Sequence, residues 1–357
     1  MRRPKAKLKL ANGRIFEGYS FGYAAPADGE LVFSTAMVGY PESLTDPSYS
    51  GQILCVSYPL VGNYGVPSAD VDPMGICVNY ESERIWTRGL VISDYSESFS
   101  HFDAVKSLDA WLKEQHIPGI CGIDTRALTI MLREEGSMPG IIEPEGSGRD
   151  FPVADPNAEN QVAIVSCSEI LRYGEGEKTV VLVDCGVKHN ILRCFVERGV
   201  RLIRVPWDYD FNTLEYDGLF ISNGPGNPEL CEATVKHLEK AMEKDIPIFG
   251  ICMGNQLLAR AAGASTFKLK YGHRSHNQPV RMVGTDRCYI TSQNHGFAVD
   301  DSTLGADWEP WFVNMNDGTN EGIRHKTKPF RSVQFHPEAS SGPTDTGFLF
   351  DEFISLL

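Results

Sequence analysis

The chain has 357 residues, 42% of them hydrophobic and 22% charged, with a formal net charge of −14. That length is more than one small core serves and predicts two domains, and the composition is that of a globular chain able to build both. The acidic balance argues against nucleic acid as the main partner, and no apolar stretch approaches the roughly 18–20 residues that span a bilayer.

In chain order, the basic start MRRPKAKLKLANGRIF has no apolar run behind it, so no signal peptide is expected and the cytoplasm is the simplest location. GELVFSTAM (29–37) and QILCVSYPLVG (52–62) read as strands between turn-rich pieces, and AVKSLDAWLKEQ (104–115) reads as a helix. This half is expected to be mixed α+β. The nine cysteines show no C-x-x-C spacing, which speaks against a zinc or dithiol site; Cys55 and Cys77 lie in apolar runs as small hydrophobes, and an odd count suits a reducing compartment.

Between about 144 and 175 the texture turns to Pro, Gly, Asp and Asn, as in EPEGSGRDFPVADPNAEN, and predicts a linker. The expected domains are therefore 1–175, linker included, and 176–357. Beyond the linker, short apolar runs alternate with helical patterns. TVVLVD, VRLIRVP, GLFISNG and IPIFGI read as strands; NILRCFVERG, ATVKHLEKAMEKD and NQLLARAAGA read as helices, the second placing Val235, Leu238 and Met242 on one face. Fully apolar strands alternating with helices predict an α/β domain, a mostly parallel sheet covered by helices, whose ligand site lies beyond the carboxyl ends of the strands.

Cys252 falls at such an end, in GICMGNQ. A tight strand-to-helix corner needs small neighbours, and Gly250 and Gly254 supply them in a G-x-C-x-G arrangement like a nucleophile elbow. The corner places the thiol at a helix N-terminus, where anions are favoured, with the Met253 N–H beside it. Taken alone, the pattern fits an inert cysteine in an ordinary turn equally well. A thiol nucleophile needs a base and an orienting group, and QFHPEAS offers His336 and Glu338 across a stiffening proline, again after an apolar strand. SNGPGNP supplies Gly224 and Gly226, where backbone N–H groups can approach a developing oxyanion, although a plain turn has the same composition.

Together GICMGNQ, SNGPGNP and QFHPEAS resemble the three signature segments of class I, triad-type, glutamine amidotransferase domains, in the family's order and spacing across 178–357. GELVFSTAMVGYPESLTDPSYSGQILCVSYPLVGNYGV and GICGIDTRALTIMLREEGSMPGII resemble the N-terminal domain of carbamoyl phosphate synthetase small subunits, and DCGVKHNIL their entry into the amidotransferase domain. The resemblance implies Cys252 as nucleophile, His336 as base, Glu338 as orienting carboxylate, and the N–H groups of Gly224 and Met253 as oxyanion donors. It implies glutamine contacts at Ser48, Gly224, Gly226, Met253, Gln256, Asn294, Gly296 and Phe297, with Ser48 contributed by the first domain. It also implies no cofactor or metal on this chain, which shows no phosphate-binding loop. ATP and Mg would be used by a large partner subunit, in a heterodimer or a higher oligomer of heterodimers, which receives ammonia through a tunnel and makes carbamoyl phosphate for arginine and pyrimidine synthesis. Two departures stand out: Met253 replaces the family's usual Leu, and Asn255 its usual His. The rival readings are a catalytically silent scaffold and another thiol hydrolase on the same kind of sheet.

Overall fold

The computed structural model describes residues 3–357; Met1 and Arg2, at the head of the basic start, lie outside the described residues. The chain divides into two units. One runs to Val71 and resumes over Cys77–Glu159; the other takes Asp72–Ile76 and Asn160–Leu357.

In the first unit, seven strands close into a barrel: β1 (Lys5–Leu10), β2 (Ile15–Gly22), β3 (Ala27–Ser34), β4 (Gln52–Val56), β5 (Gly89–Val91), β6 (Pro118–Cys121) and β7 (Met138–Pro144). They run in the order β1–β7–β3–β4–β5–β6–β2, and β2 pairs back onto β1. Closure removes the unpaired edges that an open sheet of this size would present. Strands and helices together make the unit α+β, as the sequence predicts, and β3, β4, β5 and β6 pair in parallel within the barrel. Leu54, Leu90 and Leu112 are fully buried in its core, and Cys55 and Cys77 are buried too. The predicted helix at 104–115 begins later than expected. Ala104–Lys106 is a short strand paired with Val66–Pro67, and helix α1 (Leu108–Glu114) starts where the Ser107 hydroxyl accepts from the Ala110 N–H; helix α2 (Thr125–Glu135) follows β6.

The second unit is one ten-stranded sheet. Its strands are β8 (Leu171–Tyr173), β9 (Thr179–Asp184), β10 (Arg201–Pro206), β11 (Gly218–Ile221), β12 (Ile248–Ile251), β13 (Thr266–Met282), β14 (Cys288–Val299), β15 (Trp308–Asn314), β16 (Asn320–His325) and β17 (Phe330–Val333). The order is β8–β10–β9–β11–β12–β17–β16–β15–β13–β14. The five strands from β10 to β17 are mutually parallel, as predicted. From β17 outward the sheet continues antiparallel, which the sequence reading does not foresee. The expected linker is also shorter in the structure, because β8 pairs antiparallel with β10 and belongs to this sheet.

Alternation along the parallel strands explains the helical cover. Val181 and Val183 point into one core cluster with Leu238 of α4 (Glu232–Ala241) and Leu257 of α5 (Met253–Ala261). Val180 and Leu182 point into another, with Ile191 and Phe195 of α3 (His189–Val196) and Phe350 of α6 (Phe348–Ile354). Both faces being apolar, the strands carry no polar alternation. Among the described residues no helix is long and apolar enough to cross a membrane.

Candidate active site

Four neighbouring parallel strands, β9, β11, β12 and β17, end on the same side of the sheet, and each delivers one piece of the site. β12 ends at Ile251, which pairs with Val333 at the end of β17. Cys252 is therefore adjacent to the chain that leads, three residues on, to His336.

The elbow is fixed by sterics. Cys252 has φ 55° and ψ −101°, backbone that L-residues rarely adopt. A methyl group on Gly254 would lie 2.2 Å from the Ile221 carbonyl oxygen, and one on Gly250 would lie 2.5 Å from Gly254 itself. Strand and helix can approach this closely only if both positions are glycine. The Cys252 N–H donates to the Val333 carbonyl at 2.9 Å and the Gly254 N–H to the Ser222 carbonyl at 3.0 Å, tying the corner to the two flanking strands. The thiol, 1% exposed, donates to the Asn294 carbonyl at 3.7 Å.

His336 is held by its own N–H, which donates to the Ser292 carbonyl at 2.9 Å, and by its ring Nδ1, 2.7 Å from Glu338 Oε1. Since a carboxylate only accepts, Nδ1 carries a proton. Burial by itself would lower the imidazole pKa, but the Glu338 charge and the nearby Cys252 sulfur outweigh it and push it up to about 10. Nε2 has no geometric hydrogen-bond partner, so the sulfur acts on the ring by proximity rather than through a formed bond.

Glu338 has a partner that sequence reasoning missed. Lys188 Nζ lies 3.1 Å from Oε1, with both side chains almost fully buried. Burial opposes ionisation of the carboxyl, yet Lys188 and His336 pull its pKa down to about 2. Lys188 also donates to the Ala339 carbonyl, and the Asn190 amide donates to the Glu338 carbonyl. The loop before Lys188 is set by Asp184 at the end of β9. Its Oδ1 accepts from the N–H groups of Gly186 and Val187, and its Oδ2 from Arg204 and the Cys167 N–H. The signal available in the sequence was a lysine just beyond the carboxyl end of an apolar strand, in DCGVKHNIL.

Gly224 follows β11; a methyl group there would lie 2.1 Å from the Cys185 carbonyl oxygen, so the loop must run close to its neighbour. Gly226 has φ 80°. Met253 opens α5 and is buried; its N–H falls in the first helical turn, whose amides have no intrahelical acceptor. The Gln256 amide donates to the Phe297 carbonyl at 2.9 Å and to Gln334 Oε1 at 3.1 Å. Asn255, in place of the family's histidine, is fully buried. It accepts from the Ser332 hydroxyl at 2.8 Å and donates to Gln334 at 3.2 Å. Asn294, Gly296 and Phe297 lie along β14. Ser48 lies in the first unit, buried in a short 3-10 turn (Pro47–Tyr49) capped by Asp46.

The segment YGHRSHNQ carries two histidines, His273 and His276. They belong to β13, and His273 is buried beside His295 and Glu321, whose ligand atoms all lie within 4.8 Å of one another.

A buried cysteine on an elbow, with an imidazole, a carboxylate and glycine-lined loops on adjacent strands, is an acyl-transfer arrangement. Comparison with known proteins gives its class. Residues 181–356 match the family model for glutamine amidotransferase class-I, and residues 8–142 match that for the carbamoyl-phosphate synthase small chain, CPSase domain. The carbamoyl phosphate synthase arginine-specific small chain of Aspergillus oryzae is 49% identical over 98% of this chain and 80% of its own length. The multifunctional protein pyr-3 of Neurospora crassa is 51% identical over 97% of this chain, which spans only 21% of that protein. The mitochondrial carbamoyl-phosphate synthase (ammonia) of Aquarana catesbeiana is 48% identical over 99% of this chain and 24% of its own length. The chain belongs to the carbamoyl phosphate synthase small-chain family. It spans about a fifth of the length of the multifunctional relatives it matches.

Proposed function

We propose that this chain is the glutaminase component of a carbamoyl phosphate synthase. It hydrolyses L-glutamine and passes the ammonia to a large subunit or domain that uses ATP, Mg and bicarbonate, for arginine and pyrimidine synthesis. The observation that carries this reading is the convergence of Cys252 with the His336–Glu338–Lys188 array on adjacent strand ends.

The chemistry divides among those residues. The Cys252 sulfur, its proton passed to His336 Nε2, attacks the side-chain amide carbon of glutamine. The N–H groups of Gly224 and Met253 receive the oxyanion, each such donor contributing on the order of 3–4 kcal/mol to the transition state. The imidazolium, oriented through Nδ1 by Glu338, returns the proton to the departing nitrogen. Ammonia leaves, and a γ-glutamyl thioester remains. Water, deprotonated by the same Nε2, then releases glutamate and restores the thiol. The family pattern supports glutamine contacts at Gly226, Gln256, Asn294, Gly296 and Phe297, and adds Ser48.

Ammonia is nucleophilic only while unprotonated, which favours direct transfer to a partner over release into water. The resemblance supports a heterodimer, or an oligomer of heterodimers, with the nucleotide and metal chemistry on the partner. The nine free cysteines suit a reducing compartment, of which the cytoplasm is the simplest; the Aquarana relative is mitochondrial by name. Because that relative is named for ammonia, a chain that only scaffolds its partner is the second reading.

Cys252→Ser in the complex with the large partner separates them. The expected result is loss of glutamine-dependent carbamoyl phosphate synthesis by ~10³-fold or more with ammonia-dependent synthesis retained. Undiminished use of glutamine would refute the nucleophile. A parent complex that uses ammonia but releases no glutamate from glutamine would establish the scaffold.

A further inference from the structure

Behind the strand that carries Asn294 and Phe297 lies a polar cluster with no part in the chemistry above. His273 on β13 pairs across the sheet with His295 on β14; their rings are 4.9 Å apart and nearly perpendicular. His273 Nε2 lies 2.8 Å from Asp317 Oδ2, and its Nδ1 lies 3.4 Å from Glu321 Oε1. Carboxylate oxygens only accept, so Nε2 carries a proton toward Asp317, and the Glu321 carboxylate close to Nδ1 favours a second one there. The direction of its titration agrees: burial lowers the pKa, but the two carboxylates outweigh it and hold it at about 9. The Asn314 amide donates to the same Glu321 Oε1 at 2.7 Å and lies 3.5 Å from His273 Nδ1.

A fixed positive charge on His273 disfavours a second one on the ring set edge-on to it. His295 is accordingly held well below its ordinary pKa, by burial first and His273 second. Neutral, it has one ring proton for two acceptors, the Phe297 carbonyl 2.8 Å from Nδ1 and Gln293 Oε1 3.2 Å from Nε2, and the shorter contact places it on Nδ1. That same carbonyl accepts from Gln256, while the carbonyl of Asn294, one residue before His295, accepts from the Cys252 thiol.

We infer that His273, clasped between Asp317 and Glu321, is a positioning residue for glutamine: it fixes the His295 ring, and through it sets the Asn294 and Phe297 carbonyls against Cys252 and Gln256. His273, His295 and Glu321 also have the spacing of a divalent-metal site, but both His273 nitrogens already face carboxylates, and a ring that donates from both cannot ligate.

The inference rests on the proposed glutamine site, and two readouts keep them apart. In the complex with the large partner, Glu321→Gln is expected to raise the KM for glutamine ~10-fold while kcat stays within about twofold and ammonia-dependent synthesis is unchanged. In the histidine-labelled full chain, nitrogen NMR is expected to show His295 wholly in the Nδ1–H tautomer, and a tautomer mixture in the variant. Asp317→Asn, at the more exposed carboxylate, is expected to shift both readouts in the same direction and serves where Glu321→Gln unfolds. An unchanged KM, a fall in kcat matched by loss of folded protein, or stoichiometric zinc in the purified chain would each overturn the inference. A parent that hydrolyses no glutamine defeats the functional reading, and the tautomer then decides this one alone.

Discussion

The elbow at Cys252 and the hairpin segment Asn294–Phe297 reach the same sulfur by different means. The elbow is a backbone device. Two glycines allow strand and helix to meet at distances no side chain permits, and main-chain bonds to Val333 and Ser222 complete it. The hairpin segment is placed by side chains. Its carbonyls are set by Gln256, by His295 and by the charged cluster behind, on strands whose register is broken between Lys268 and His273 and again between Ser275 and Gln278. A backbone device tolerates almost no substitution at its glycines. A side-chain device can shift by tenths of an ångström, and so is the place where affinity is tuned.

That contrast can be broken in graded steps. The largest loss is expected from Lys188→Met, which removes one of the two cations that face the buried Glu338 carboxylate and costs about 3–5 kcal/mol by denaturant titration. A variant within 1 kcal/mol of the parent would show that the ion pair is not what holds the carboxylate. Gly254→Ala comes next, at about 1–3 kcal/mol from overpacking against Ile221. Gly263→Ala is the control: nothing lies within 4 Å of the added methyl, so only its positive φ is strained, at about 1–2 kcal/mol. Equal losses with equal retention of glutaminase would remove the case for a sterically locked elbow. Asn255→Ala, which strips partners from Ser332 and Gln334, is expected to cost about 1–3 kcal/mol and to raise the glutamine KM through Gln256 more than it lowers kcat.

The site should also show a pH dependence. His336 has a folded pKa raised from 6.5 to about 10, so its stabilisation is complete below 6.5 and is lost as pH rises through about 10. Glu338 is depressed from 4.5 to about 2, so its contribution is complete above 4.5 and is lost as pH falls through about 2. The stability difference between the parent and Glu338→Gln should therefore be greatest between pH 4.5 and 6.5 and shrink toward pH 10. A difference that grows with alkalinity would reverse the assignment of charge.

Much of the parallel half was legible in the sequence, because short apolar strands, helical periodicity and flanking glycines are local signals. Cys252, His336 and Gly224 were readable for the same reason: each follows such a strand. Lys188 also follows such a strand and was missed, because what singles it out is a buried carboxylate some 150 residues further along the chain. The antiparallel half was opaque for another reason. β13 runs 17 residues with mixed exposure and two register shifts, so its apolar residues never settle into alternation, and its histidines look solvated. Closure of the barrel depends on β1 pairing at both edges, which composition does not encode.

Glutamine hydrolysis through Cys252 requires a covalent bond between its sulfur and the side-chain amide carbon of glutamine. Quenching the complex during turnover with L-glutamine and mapping the digested chain by mass spectrometry tests it directly. A γ-glutamyl group is expected on the peptide bearing Cys252, absent in Cys252→Ser and increased in Glu338→Gln if thioester hydrolysis slows more than its formation. Glutamate released at the normal rate with the label on another cysteine, such as the exposed Cys288, would contradict it.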